Sequence, residues 1–94
     1  MKVDVALVEL KGVRLAVAFP EDAWVRPGAG DELISRLSPY LPPLGIMLVS
    51  EGAYPRAYAS FETYDLLAHL DAAAVSRFIV DLSEPPEEEE ELPF

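Results

Sequence analysis

The chain has 94 residues, 51% of them hydrophobic, a formal net charge of −10 and no cysteine. That length supports one domain with one modest core, and the missing thiols exclude disulfide frameworks, zinc-thiolate sites and cysteine nucleophiles. No apolar run reaches the ~18 residues of a membrane span, and Asp4 stands where a signal peptide would continue its apolar segment, so the chain is expected to be soluble and cytoplasmic.

The charge is unevenly placed. Residues 83–94 hold six glutamates, Glu84 and Glu87 to Glu91, and no base, which leaves the body with 11 acids against 7 bases, about −4. Neither part has the basic surface that a phosphate backbone demands, so direct nucleic-acid binding is not expected. Five arginines against two lysines and nine prolines fit a thermophilic or a high-GC origin alike.

Lys2 to Pro20 reads as a hairpin, two β-branched runs broken at Gly12. A three-residue loop over Leu10, Lys11 and Gly12 is preferred, because it gathers Val3, Val5, Leu7, Val13, Leu15, Val17 and Phe19 on one face. A two-residue loop is the competing register and sets Glu9 against Arg14. Residues 20–30 contain two prolines and two glycines and predict an irregular turn, with Trp24 closing one end of the core. Asp31 is the expected cap of a short helix whose stripe is Leu33, Ile34, Leu37 and Leu41, limited by Pro39 and ended by Pro42-Pro43.

Leu44 to Ser50 has the length and continuity of a buried strand. Arg56 to Glu62 alternates Ala57, Ala59 and Phe61 with Arg56, Tyr58 and Ser60, so a second hairpin is expected to extend the first. From Thr63, with Thr63 or Asp65 as cap, helix formers place Leu67, Leu70 and Ala74 in register, and a helix through about Arg77 is expected. Val75 to Leu82 fits both periods, since Phe78, Val80 and Leu82 also alternate as a strand would. The expected fold is α+β, an antiparallel sheet with helices on one face, in the order β-β-α-β-β-α with a possible closing strand. Residues 1–82 form the domain and residues 83–94 an acidic tail.

The body offers little chemistry. His69 is the sole imidazole, with Asp65 one helical turn before it, but no nucleophile, oxyanion donor or phosphate loop accompanies the pair, and a surface histidine is the simpler reading. Gly28-Ala29-Gly30 precedes Asp31-Glu32, which would repel a phosphate, so it reads as a turn and cap. The acid pairs Glu21-Asp22 and Asp31-Glu32 lack calcium-loop spacing. No catalytic residue, cofactor or metal site is expected. Tyr54, Arg56 and Tyr58 are a possible interface, with a homodimer as the commonest outcome, and the same three can equally be half-buried sheet residues.

Ser83-Glu84-Pro85-Pro86 breaks regular structure, and Glu87, Glu88, Glu89, Glu90 and Glu91 form a self-repelling block. Leu92-Pro93-Phe94 then ends the chain. An acidic run followed by Leu-Pro-Phe at a carboxyl terminus resembles the partner-docking tip of bacterial single-stranded-DNA-binding proteins. That resemblance implies a protein partner in genome maintenance, with Phe94 as anchor, Pro93 and Leu92 as its apolar flank and the five glutamates as an electrostatic guide. It covers eight residues only. The body, acidic and helical with a four-residue linker, departs from that family's basic five-stranded barrel. The other readings are a self-associating or small-ligand-binding α+β module with an inert acidic tail, or an engineered appendage.

Overall fold

The computed structural model describes residues 1–51, 55–71 and 74–84. Among these residues, five strands and two α-helices follow in chain order: β1 (Lys2–Leu10), β2 (Val13–Phe19), α1 (Ala29–Leu37), β3 (Gly45–Ser50), β4 (Arg56–Tyr58), α2 (Tyr64–His69) and β5 (Phe78–Asp81), with single turns of 3-10 helix at Asp22–Trp24 and Ser38–Tyr40. One mixed sheet contains all five strands, in the order β4-β3-β2-β1-β5. The fold is α+β, as expected, and the closing strand is present.

The β1–β2 turn takes the two-residue form. Lys11 and Gly12 have φ of 53° and 78°, the two positive values of a primed turn, whose twist matches that of the strands it joins. Glu9 therefore faces Arg14 and Val5 faces Ala18, which corrects the expectation of a three-residue loop. The large residues do not gather on one side, because both faces of this sheet are covered.

On one face, Val3, Val5, Ala16, Ala18, Ile46, Leu48 and Val80 pack with Leu33 and Leu37 of α1. On the other, Leu10, Leu15, Val17, Met47 and Val49 pack with Leu66 of α2. The helices thus lie on opposite faces, not on one. Covering both sides explains why β2 and β3 carry consecutive buried residues, Leu15 to Ala18 and Ile46 to Ser50.

The sheet is mixed because β2 and β3 run parallel, Leu15 opposite Gly45 and Ala18 opposite Leu48. A parallel neighbour needs a long crossover, and residues 20–44 supply it with α1 inside. The hairpin-to-hairpin arrangement expected from sequence would have made this pair antiparallel. Ala16 and Ala18 give α1 room to approach. Gly30 comes closer still: a Cβ there would stand 2.7 Å from Tyr58 Cδ2, 2.9 Å from the Trp24 carbonyl oxygen and 3.2 Å from Leu48 Cδ1.

The Asp31 expectation shifts by three residues. Gly28 is the N-cap of α1 with φ of 85°, and Asp31 reaches back from the N3 position to accept the Gly28 N–H at 3.1 Å. Ile34 joins Leu33 and Leu37 against the core as the stripe requires; Leu41 packs there too, but from extended backbone beyond α1, which ends at Leu37 rather than continuing toward Pro42. β4 is shorter than the alternation through Glu62 suggests, ending at Tyr58. α2 ends at His69, with Leu70 already extended (φ −83°, ψ 126°), so the helix expected through Arg77 stops eight residues early. Val80 gains a buried place opposite Val3 in β5, where a longer helix would have left the β1 edge bare.

Gly30→Ala tests the α1–sheet approach. Helix propensity alone would favour alanine by about 1 kcal/mol. The contacts reverse that sign, and a net loss of roughly 1–3 kcal/mol is expected in urea unfolding. Unchanged or raised stability would show that α1 does not sit this close to Tyr58 and Trp24.

Candidate functional site

The tip residues Glu87, Glu88, Glu89, Glu90, Glu91, Leu92, Pro93 and Phe94 lie outside the described residues, and so does Tyr54. Of the possible interface trio, Arg56 and Tyr58 are described, both on the edge strand β4. Tyr58 is half-buried against the α1 face of the core, and its hydroxyl donates to Asp31 Oδ1 at 2.7 Å. Asp31 thus receives Tyr58 on one oxygen and Gly28 on the other, and these bonds, Tyr58 first, hold its carboxyl below the usual aspartate range. The same bond pushes the Tyr58 hydroxyl above the usual tyrosine range. Arg56 Nη2 donates to the Asp22 carbonyl at 3.1 Å, while the Asp22 carboxylate accepts the Ser50 hydroxyl. Both residues therefore tie β4 to the segment around α1.

The His69–Asp65 pair does not join through the carboxylate. His69 Nδ1 lies 2.8 Å from the Asp65 carbonyl, and the Asp65 side chain stands 3.6 Å from Lys11 Nζ at the β1–β2 turn. Both residues are exposed among the described residues. Among the described residues no three His, Cys, Asp or Glu side chains converge as metal ligands. No described helix is long and apolar enough to cross a membrane.

A charged cluster that the sequence did not announce sits at the start of β5. The Arg77 guanidinium donates to both oxygens of Glu51, at 3.1 and 2.6 Å, and its Nη1 lies 3.9 Å from Asp4. Its carbon stands 3.8 Å from the centre of the Phe19 ring, close enough for a cation–π contact. Arg77 holds the Glu51 carboxyl below the usual range chiefly through these hydrogen bonds, against a smaller opposing effect of burial. Beyond it, β5 is an edge strand with Phe78 42% and Ile79 64% exposed. The alternation of Phe78, Val80 and Leu82 was the signal for this strand; nothing local pairs Arg77 with Glu51, 26 residues away.

At the strand's far end, Asp81 Oδ1 accepts both the hydroxyl and the N–H of Ser83, which with Lys2 and the amino terminus lowers its carboxyl. The Tyr40 hydroxyl donates to the Glu84 carbonyl, and the Leu82 N–H donates to the Met1 carbonyl at 2.7 Å. The body is thus tied down as far as Glu84. Comparison with family models, curated proteins and solved structures found no match to this chain.

Acidification tests the Arg77 cluster. A carboxyl depressed on folding contributes stability above its unfolded range, about 4.3 for glutamate, and loses it as pH falls through the folded value. Glu51→Gln is expected to unfold earlier in urea than the parent at pH 7, by about 0.5 kcal/mol for so exposed a pair, and to match it near pH 3. A gap that persists unchanged at pH 3 would assign the loss to packing rather than charge.

Proposed function

We propose that this protein is a noncatalytic interaction protein, whose tail presents Leu92-Pro93-Phe94 behind the acidic run Glu87–Glu91 to a genome-maintenance partner. One observation carries the reading: a five-glutamate block leads directly into an aliphatic-proline-phenylalanine ending, in the order of the docking tip of single-stranded-DNA-binding proteins.

The chemistry of recognition follows from that ending. Phe94 offers a ring and, where it bears the free α-carboxylate, an anion on the same residue. A partner with an apolar slot beside an arginine or lysine can hold both together. Pro93 restricts the backbone before docking and so lowers the ordering cost. The glutamates speed encounter with a basic rim more than they deepen the final fit. The tail is the part that acts, and the body carries it.

Displacement of a labelled tip peptide from a partner that binds single-stranded-DNA-binding-protein tips tests this directly. The intact chain is expected to displace the peptide, less well as salt rises. Removing Phe94, or adding one alanine after it, should weaken displacement at least about tenfold, ~1.4 kcal/mol, with no change in thermal midpoint. Equal displacement with and without Phe94 would end the proposal.

A further inference from the structure

The open edge of β5 has the chemistry of a self-complementary strand. Its ladder with β1 runs Lys2↔Asp81, Val3↔Val80, Asp4↔Ile79 and Val5↔Phe78, and the Leu82 N–H to Met1 carbonyl bond continues it. Antiparallel ladders alternate, so that bond sets the phase: Phe78, Val80 and Leu82 turn their backbone groups toward β1, whereas Ile79 and Asp81 turn theirs outward. Among the described residues no strand pairs with that outer side. No proline or bulge interrupts Phe78–Asp81, and its one charge, Asp81, stands at the end of the strand.

We infer that β5 pairs antiparallel with β5 of a second copy of this chain, about a two-fold axis at Ile79, to give one continuous ten-stranded sheet. This register sets Ile79 against Ile79, Phe78 against Val80 and Arg77 against Asp81 of the other copy. Ile79 is a residue whose N–H and C=O face outward, as a hydrogen-bonded pair at the axis needs. The exposed Ile79 side chain, on the face that carries Phe19 and Asp4, meets its own twin. The exposed Phe78 ring meets the other copy's Val80 on the α1 face.

Charge selects among registers. Centring the pair on Val80 also keeps the hydrogen-bond phase, but it places Ile79 opposite Asp81, an apolar side chain against an anion. Centring on Ile79 places the Arg77 guanidinium, already flanked by Glu51 and Asp4, opposite the Asp81 carboxylate twice over, since a two-fold contact repeats every pair. Among the described residues, the closed dimer leaves only the three-residue edges of β4 open. This surface lies on the opposite edge of the sheet from Arg56 and Tyr58 and does not depend on the tail.

The full chain is expected to sediment as a dimer from micromolar to submillimolar concentration. Ile79→Lys, at an exposed position, should weaken dimerisation at least about tenfold, ~1.4 kcal/mol. Asp81→Arg, which sets two arginines face to face, should do the same. Because the chain has no cysteine, Ile79→Cys should form a covalent dimer on mild oxidation, far faster than Ser35→Cys on the exposed side of α1. The cross-link reads the register even if the charged variants fold poorly. A full chain that stays monomeric overturns the inference, as does a dimer that Ile79→Lys leaves intact or that Ile79→Cys fails to cross-link. A monomer that dimerises only when cut after Glu84 also overturns it, by showing the tail on that edge.

Discussion

The turn at Lys11-Gly12 settles more of this molecule than any other two residues. With both φ values positive, it fixes Leu10 opposite Val13 and hence every pair down the β1–β2 ladder. A slip of one residue would rotate an entire strand's side chains to the other face. Here the register sends Val3 and Val5 to the side where Ala16 and Ala18 leave room for α1. It sends Leu10 with Leu15 and Val17 to the side closed by α2. Each helix finds a floor shaped for it only because the two strands agree on which residues face where.

That agreement also places β2 in the middle of the sheet. Its antiparallel partner β1 is fixed by the turn, so β3 can join only on the free side, and the crossover through α1 delivers it there parallel. Apolar residues on both faces then follow as a requirement. The same logic runs outward to the edges, where cover thins. β4 is short and anchored by Tyr58 and Arg56, while β5 carries two large apolar side chains into solvent.

Local signals in the sequence were reliable where one element satisfied them alone. The stripe Leu33, Ile34 and Leu37 and the apolar run ending at Ser50 specify their elements without help from elsewhere, whereas Leu41, expected on the same stripe, lies beyond the helix in extended backbone. The turn register was not legible from hydrophobic grouping, because grouping assumes one buried face and this sheet has two. The end of α2 was hidden for a related reason. Val75 to Leu82 satisfies both periods, and the choice was made by β1, whose Val3 and Val5 need partners on their open side. The Arg77–Glu51 pair joins segments distant in sequence, so it depends on the completed sheet. The tail posed the opposite problem: its pattern is readable from eight residues, and nothing in the body's packing bears on it.

The tail and the β5 edge are close in sequence, and their geometry limits how they can cooperate. In a dimer with its axis at Ile79, Leu82 of each copy lies near Ser76 of the other. The two Leu82 residues are therefore about six residues apart along antiparallel strands, ~20 Å at the usual rise. The tails would leave from opposite ends of the paired strands. A small pocket holds one terminal ring at a time, so pairing would add a second tip rather than deepen the hold on the first. It would instead give each assembly two separate points of attachment, suited to bridging two partner molecules or two pockets of one oligomeric partner.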